Sequence, residues 1–333
     1  MTFPLHTEIR TPAQLTAAAR AAYDAFDALL PLASILPTTL VASDQYEFVN
    51  EDKQDVDEVG FLAFDTTTPY GRTHGTSAKI GYLPPLGKSQ LITEKDVRNG
   101  GDLGTVFEQR AIQTAEEAVV RLEKARAVAL ENGALKIQDN NLNFTIPFGR
   151  SGDHTVTAAP LWTAANSDPV ADLITWQGVD GVQDADTLLI SKTVLTALAT
   201  NAKVIAAYEG RGDNLPSRIS FTQVQSVFAG YGINLVEITS IYSNLVLGGQ
   251  RINFPSPFSA NKVLLVRSSG VGQTQLGLAT EINEPSYGLT GSGPGLVSAA
   301  FVRNNPVGFD VMVRGLGLPV LTAPNHSLVA TVA

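Results

Sequence analysis

Apolar positions along the chain fall into several distinct periods, and each period predicts an element. After Pro12, the residues Leu15, Ala18, Ala22, Phe26, Leu29 and Leu30 recur at helical spacing, so a short helix is expected before Pro31 and Pro37. From Val59 to Leu91 the pattern shortens to β-like stretches, Phe61 to Phe64 and Lys79 to Leu83. They are divided by Thr-Pro-Tyr-Gly-Arg-Thr-His-Gly and closed by Pro84-Pro85. This reads as a long two-stranded excursion, which cannot bury both faces within its own chain. It is expected to lean on a neighbour.

The strongest periodicity follows. Phe107, Ala111, Ala115, Ala118, Leu122, Ala125 and Ala129 repeat at helical spacing behind a capping box, Thr105-Val-Phe-Glu108, and Asn132-Gly133 ends the run. A helix over about 105–132 would span roughly 40 Å, and Glu117 with Arg121 would form a pair along its outer face. Alternation then resumes in Leu135 and Ile137, turns at Asp139-Asn-Asn141 and returns through Leu142, Phe144, Ile146 and Phe148, a hairpin. Beyond Leu161 helices and strands mix. Thr187 to Tyr208 reads as partly helical, Phe221 to Gly230 as a short helix and Leu235 to Tyr242 as a strand. Asn261 to Arg267, Leu276 to Ile282, Val297 to Asn304, Phe309 to Arg314 and Ser327 to Val332 are β-like. The fold class is α+β.

Composition narrows the chemistry. The absence of cysteine excludes disulfides, thiolate metal sites and cysteine nucleophiles. Met1 to Arg10 has no apolar core of the kind a secretory signal needs, and no stretch of about 18 apolar residues predicts a membrane span. Synthesis in a cytoplasm is expected. A net charge of −9 argues against a surface that captures nucleic acid by counterion release. The charge is also uneven: residues 1–60 hold ten acids and three bases, whereas 61–95 hold Arg72, Lys79, Lys88 and Lys95 against Asp65 and Glu94.

Each near-motif fails for a physical reason. Gly81-Tyr-Leu-Pro-Pro-Leu-Gly87-Lys88-Ser89 has one residue too many between its glycines for a nucleotide-binding loop, and Pro84 and Pro85 have no N–H to offer a phosphate. Asp139, Asn141 and Asn143 copy the opening of a calcium loop, but Phe144 and Arg150 stand where Gly and Glu belong. Arg211-Gly-Asp213 sits in an ordinary turn setting. His6, His74, His154 and His326 have no zinc spacing, and Asp153-His154 reads as a solvated loop without a nucleophile elbow. No catalytic, cofactor or metal residue is expected, and the chain reads as a non-enzyme.

The order of these segments resembles the major capsid protein of tailed phages, the Hong Kong 97-like fold, and within it the lambda-like capsid protein E family. The residues carrying the resemblance include Leu83-Pro-Pro-Leu through Leu91-Ile-Thr-Glu-Lys-Asp, Glu108-Gln-Arg-Ala-Ile to Ala134-Leu-Lys-Ile, and Leu161-Trp with Asp168-Pro-Val-Ala-Asp-Leu. Gly248 to Phe254 before Asn261-Lys-Val-Leu-Leu-Val, and Pro306-Val-Gly-Phe through Leu318-Pro-Val-Leu, complete it. The resemblance implies an N-terminal arm over 1–55, an extended loop over 56–95, and a peripheral domain with a spine helix over 96–155. An axial domain over 156–305 and strands over 306–333 returning to the peripheral domain would follow. It implies a head protein of the virion, assembled in the bacterial host's cytoplasm into hexamers and pentamers that enclose double-stranded DNA. Scaffold, portal and decoration proteins would be its partners. Inter-subunit contacts are expected from Arg72, His74, Lys79 and Lys88 on the loop, meeting Asp44, Glu51, Asp52, Asp55, Asp57 and Glu58 of a neighbour. The type phage of the fold joins a loop lysine to an asparagine with help from a glutamate; Lys79 or Lys88 would supply the amine here, but neither partner matches by motif, so cross-linking is not expected. The rival readings are an encapsulin-type compartment shell and a nucleotide-binding enzyme using Gly81 to Ser89.

Overall fold

The computed structural model describes residues 5–48, 79–93, 95, 96, 98, 102–139, 142–210, 216–247, 250, 251, 254–304 and 307–333. Two sheets dominate. A six-stranded sheet runs Leu5–His6, Val297–Asn304, Val307–Leu321, Gly272–Leu276 and Thr38–Leu40, with Pro85–Thr93 paired to the other side of the 15-residue strand Val307–Leu321. A five-stranded sheet runs Asn234–Glu237, Thr187–Ile190, Lys262–Val266, Ser327–Thr331 and Thr155–Thr157. The mixture is the α+β class expected.

A helix of 30 residues, Leu103–Asn132, packs across the six-stranded sheet. At 1.5 Å per residue it is about 45 Å long. It starts two residues before the predicted capping box, because Asp102 rather than Thr105 is the N-cap and accepts hydrogen bonds from the Thr105 N–H and hydroxyl at 3.0 and 3.1 Å. The Arg10 guanidinium lies close over Gly104, 2.9 Å from where a Cβ would stand. Gly133, with φ of +63°, ends the helix as expected.

The N-terminal segment, expected as an arm, packs on its own chain over the described residues 5–48. Its helix, Pro12–Asp27, buries Leu15, Ala19, Tyr23 and Phe26 against the long helix and the strand Val297–Asn304 of its own chain. Arg20 clamps the carbonyls of Leu296, Ser292 and Gly293 at 2.7–2.9 Å, and the Thr16 hydroxyl bonds both backbone groups of Ser298. Residues 5–48 are therefore part of the subunit's own core, since a helix with three large apolar side chains to bury has more to gain from the nearest apolar surface than from solvent.

Other boundaries move as well. Strand Pro85–Thr93, expected within the excursion, is built into the six-stranded sheet. Residues 272–304, expected in the axial domain, supply two of that sheet's strands, while Ser327–Thr331 returns to the five-stranded sheet. Thr187–Ile190 is a strand, followed by helices Lys192–Thr200 and Ala202–Glu209. It lacks alternation because both faces are covered: Leu188 and Ile190 join one core and Leu189 the other. The expected strand from Leu235 to Tyr242 stops at Glu237 and gives way to a short helix, Thr239–Ser243. The strand placed at Leu276 to Ile282 is instead Gly272–Leu276, a polar-looking run whose Thr274 and Gln275 are buried.

Thr274 is buried because it belongs to an ionic network at the centre of the larger core. Arg126, on the long helix, has no exposed surface. It donates to Asp27 at 2.6 Å, Glu123 at 3.2 Å, Thr274 at 2.8 Å and Thr38 at 2.9 Å. Glu123 accepts in addition from the Leu32 N–H at 3.1 Å and the Tyr242 hydroxyl at 2.7 Å. Burial pushes the Glu123 carboxyl above its ordinary range, opposed by Arg126 and these two donors. Arg126 itself is held above the usual arginine value, the two carboxylates outweighing its burial. Removing one member of such a set leaves uncompensated buried charge. Arg126→Leu is expected to cost about 3–5 kcal/mol, with part of the loss recovered by adding Glu123→Gln; urea unfolding of both variants checks this, and a small loss for Arg126→Leu would refute it.

Candidate functional site

Among the described residues the surfaces that bear on function lie around the long helix, where two hairpins and a sheet edge meet. The first hairpin pairs Gln45–Phe48 with Lys79–Tyr82 and is the base from which residues 49–78 depart and return. Its inner face is anchored. Tyr46 lies over Gly81, where a Cβ would approach the ring to 2.5 Å, and Phe48 packs on Phe148 with ring centroids 5.6 Å apart. Its outer face carries Ile80 and Tyr82, 61% and 72% exposed, beside Gln45 and Glu47. These are large apolar groups left to water, unlike the scattered small exposures of an ordinary surface.

Of the ten expected contact residues, Arg72, His74, Glu51, Asp52, Asp55, Asp57 and Glu58 lie outside the described residues. Asp44 is exposed at the bend before the hairpin, where its carbonyl accepts from the Leu83 N–H at 2.8 Å. Lys79 is exposed; its ammonium reaches the Pro147 carbonyl at 3.1 Å and stands 5.7 Å over the Phe48 ring. Lys88 pairs with Glu117 of the long helix at 2.6 Å. Arg121 pairs with Asp139 on the second hairpin, Ala134–Asp139 with Leu142–Pro147. The expected Glu117 to Arg121 pair is thus replaced by two pairs that tie the helix to the strands flanking it.

Those strands enclose a groove of about 560 Å³ between the long helix, the second hairpin and the sheet, with Leu122, Ile137, Leu142, Val313 and Leu318 among its lining. Within the stretch Gly81 to Ser89, residues Pro84 to Lys88 form one rim. The stretch forms no phosphate cradle: Gly87 lies within a strand, its open side filled by the Val313 carbonyl at 2.7 Å from an added Cβ, and the Lys88 ammonium is taken by Glu117. Asp139 of the calcium-like run is likewise used by Arg121, and Arg211-Gly-Asp213 lies outside the described residues. His154 corrects the reading of a solvated loop. It is buried, with Nε2 2.9 Å from the Asp180 carbonyl, because the short 3-10 turn Gly152–His154 tucks against the strand Ser327–Thr331.

A second feature, unforeseen from sequence, joins the two sheets at the end of the long helix. Arg150 donates to the carbonyls of Leu130 and Glu131 at 2.5 and 3.3 Å and to the Ser327 hydroxyl at 2.9 Å. Burial lowers its guanidinium to about 10, and the helix's terminal carbonyls hold it. Glu131 reaches the other way, accepting from the Ser259 hydroxyl at 2.5 Å and Lys262 at 2.7 Å. The signal for the central network was visible as Glu123 and Arg126 interrupting an apolar stripe. Arg150 and Glu131 gave no such signal, since their partners are backbone carbonyls and distant loops. Burial raises the Glu131 carboxyl, but the bonds from Lys262 and Ser259 outweigh it and hold the group below its ordinary range. A folded value below the unfolded one, about 4.3, stabilises the fold above that pH and ceases to do so as pH falls through the folded value. The stability advantage of the wild type over Glu131→Gln is therefore expected to be largest near neutrality and to shrink below about pH 4, as urea unfolding at pH 7 and pH 3 would reveal.

Comparison with known proteins gives the context. The family model described as phage major capsid protein E matches residues 95–332. The fold is similar to that of a phage-related protein from Bordetella bronchiseptica RB50, with 12% identity, 99% of this chain and 97% of that one covered, and a TM-score of 0.59. It is similar also to a protein from Escherichia coli CFT073 described as the capsid protein of a prophage, with 12% identity, coverage of 96% and 99%, and a TM-score of 0.59. The capsid of a native GTA particle matches with 11% identity, coverage of 91% and 89%, and a TM-score of 0.53. No protein of curated function matches the sequence.

Proposed function

The chain belongs to the phage major capsid protein E family, and from that premise we propose that it assembles into hexamers and pentamers of an icosahedral head enclosing double-stranded DNA. The observation that carries this reading is the family match itself, which takes in the long helix and the whole five-stranded sheet. The protein is a shell-forming capsid subunit with the Hong Kong 97-like fold, and self-association is the activity of such a subunit. No helix among the described residues is long and apolar enough to cross a membrane.

In this reading the six-stranded sheet with the long helix is the peripheral domain and the five-stranded sheet with its helices is the axial domain. The hairpin Gln45–Phe48 with Lys79–Tyr82 is the root of the extended loop. A heterologous contact repeated about an axis closes into a ring, and rings joined by further contacts close into a shell. The loop's basic residues Arg72, Lys79 and Lys88, with His74, meet Asp44, Glu51, Asp52, Asp55, Asp57 and Glu58 of a neighbour. The pair that Lys88 makes with Glu117 is no obstacle, because its ammonium side chain is more than half exposed and such pairs contribute only ~0–1 kcal/mol. A chain of net charge −9 suits a wall that must not grip the phosphates it surrounds. Scaffold, portal and decoration proteins complete the head, which forms in the host cytoplasm.

Negative-stain electron microscopy of the expressed protein is expected to show uniform shells or hexameric rings, and a stable monomer under all conditions would overturn the reading. Reversing Arg72 and Lys79 to Glu is expected to lower shell yield most at low salt, where screening is weakest; an unchanged yield at every salt concentration would remove the proposed charge contact while leaving the shell intact. A DNA-free shell that copurifies with a cargo enzyme would point instead to a compartment.

A further inference from the structure

Among the described residues the strand Pro85–Thr93 leaves one whole edge of the six-stranded sheet unpaired, and its hydrogen-bond phase can be worked out. The Gly317 N–H donates to the Pro84 carbonyl at 3.2 Å, in a register that sets Leu316 opposite Pro85. In an antiparallel ladder that bond makes Leu316 and Pro85 a non-bonded pair. Leu86, Lys88, Gln90 and Ile92 therefore exchange bonds with Val307–Leu321, while Gly87, Ser89, Leu91 and Thr93 aim their N–H and C=O groups outward. The Thr93 N–H is satisfied locally by Asp96 at 2.9 Å. Among the described residues the N–H groups of Gly87, Ser89 and Leu91 have no acceptor, and all three residues are exposed.

Such an edge is unusual for a subunit that has finished folding. The sheet's other outer strands, Leu5–His6 and Thr38–Leu40, are two and three residues long, which is how edges are ordinarily blunted. This one is nine residues long. Lys88 does not guard it, because its side chain turns to Glu117 on the long helix. A groove opens on each face of the sheet beside the edge. The 560 Å³ groove lies toward the long helix, and one of about 290 Å³ lies on the opposite face beside Met312 and Arg314. An added strand would place alternate side chains in the two, with its backbone supplying the bonds.

We propose that the outer edge of Pro85–Thr93 is completed by an extended segment of a second copy of this chain, so that the six-stranded sheet continues across the subunit boundary. This rests on the shell reading above, in which copies of the chain are the partner always at hand. Continuity favours the same occupant: Ile80 and Tyr82 lie immediately before this strand in the chain and are the most exposed large apolar groups of the hairpin. One neighbour lying along the edge also covers them.

The test exploits the outward direction of the Ser89 N–H. Ser89→Pro removes a donor that takes no part in the subunit's own ladder, whereas Gln90→Pro removes one that does. The Ser89→Pro subunit is expected to unfold at a temperature close to wild type and to lose about tenfold or more in association per contact, as one or more lost bonds imply. Ser89→Ala should assemble normally, and Gln90→Pro should be unstable. Hydrogen exchange on the wild type supplies an independent reading, in which the amides of residues 87, 89 and 91 exchange freely in the isolated subunit and are protected in the shell. Shells of Ser89→Pro at wild-type yield, equal exchange in both states, protection already present in the free subunit, or protection arising only when an auxiliary protein is added would each overturn the proposal. If Ser89→Pro fails to fold, the exchange experiment decides alone. Absence of wild-type shells would defeat the shell reading first, whereas wild-type shells with an unprotected edge would defeat only this inference.

Discussion

A guanidinium with no exposed surface is tolerable only if its donors find acceptors and its charge finds carboxylates. Arg126 finds both, and the partners come from far apart in the chain: Asp27 at the end of the N-terminal helix, Thr38 on the strand after it, Glu123 one turn away and Thr274 on the opposite side of the sequence. Through Glu123 the set extends to the Leu32 N–H and to Tyr242. Each partner is acceptable in the core only when the others are in place. The N-terminal segment, the long helix, the six-stranded sheet and the crossing toward the five-stranded sheet must therefore adopt one mutual register. An apolar core of similar volume could be as stable, but it would not reject a slipped arrangement so sharply. For a subunit that must meet its copies in fixed geometry, such rejection has evident use.

From that centre the long helix carries the geometry outward. Its two ends are fastened differently. Near its start Arg10 pairs with Glu108 at 2.6 Å, a partly exposed bond. At its finish Arg150 and Glu131 bind the five-stranded sheet through the Ser327 hydroxyl and through Ser259 and Lys262, with Gly133 turning the backbone between them. These polar bonds add direction to an apolar core that the two sheets share, in which Leu189, Leu264 and Val329 of one join Val311, Val313 and Leu318 of the other. Val263 and Leu265 face one core while Leu264 and Val266 face the other, so the five-stranded sheet serves as the wall between them.

What the sequence made legible follows from this arrangement. The long helix and the hairpin of Ala134–Asp139 with Leu142–Pro147 each present one face to a core and the other to a less buried environment, so their periodicity is plain. Thr187–Ile190 is covered on both faces and has no alternation to read. Gly272–Leu276 looks like a polar loop because its Thr274 is a partner of Arg126 and its Gln275 side chain donates to the Glu47 carbonyl. The N-terminal helix was recognised, but its destination was not, since apolar periodicity states that a face will be buried and not by which surface. The family resemblance was legible because the order of elements is local information, while the exchange of strands between sheets is not.

The same distinction explains why the surfaces that bear on assembly are the hardest to read. A near-motif such as Gly81 to Ser89 draws attention by its residue types, yet its meaning here lies in backbone groups that every sequence possesses. Whether an N–H faces the sheet or water depends on the ladder's phase, which one bond from Gly317 to Pro84 sets. The apolar outer face of Ile80 and Tyr82 has the same character: a strand of four residues alternates whatever its partner, and the inner anchoring of Phe48 on Phe148 and of Tyr46 over Gly81 determines which side is left to water. A shell-forming subunit can thus carry its function in backbone groups that its own ladder, among the described residues, turns outward. Its rigid centre makes those outward groups a fixed template, and a fixed template is what repeated, symmetric contact requires.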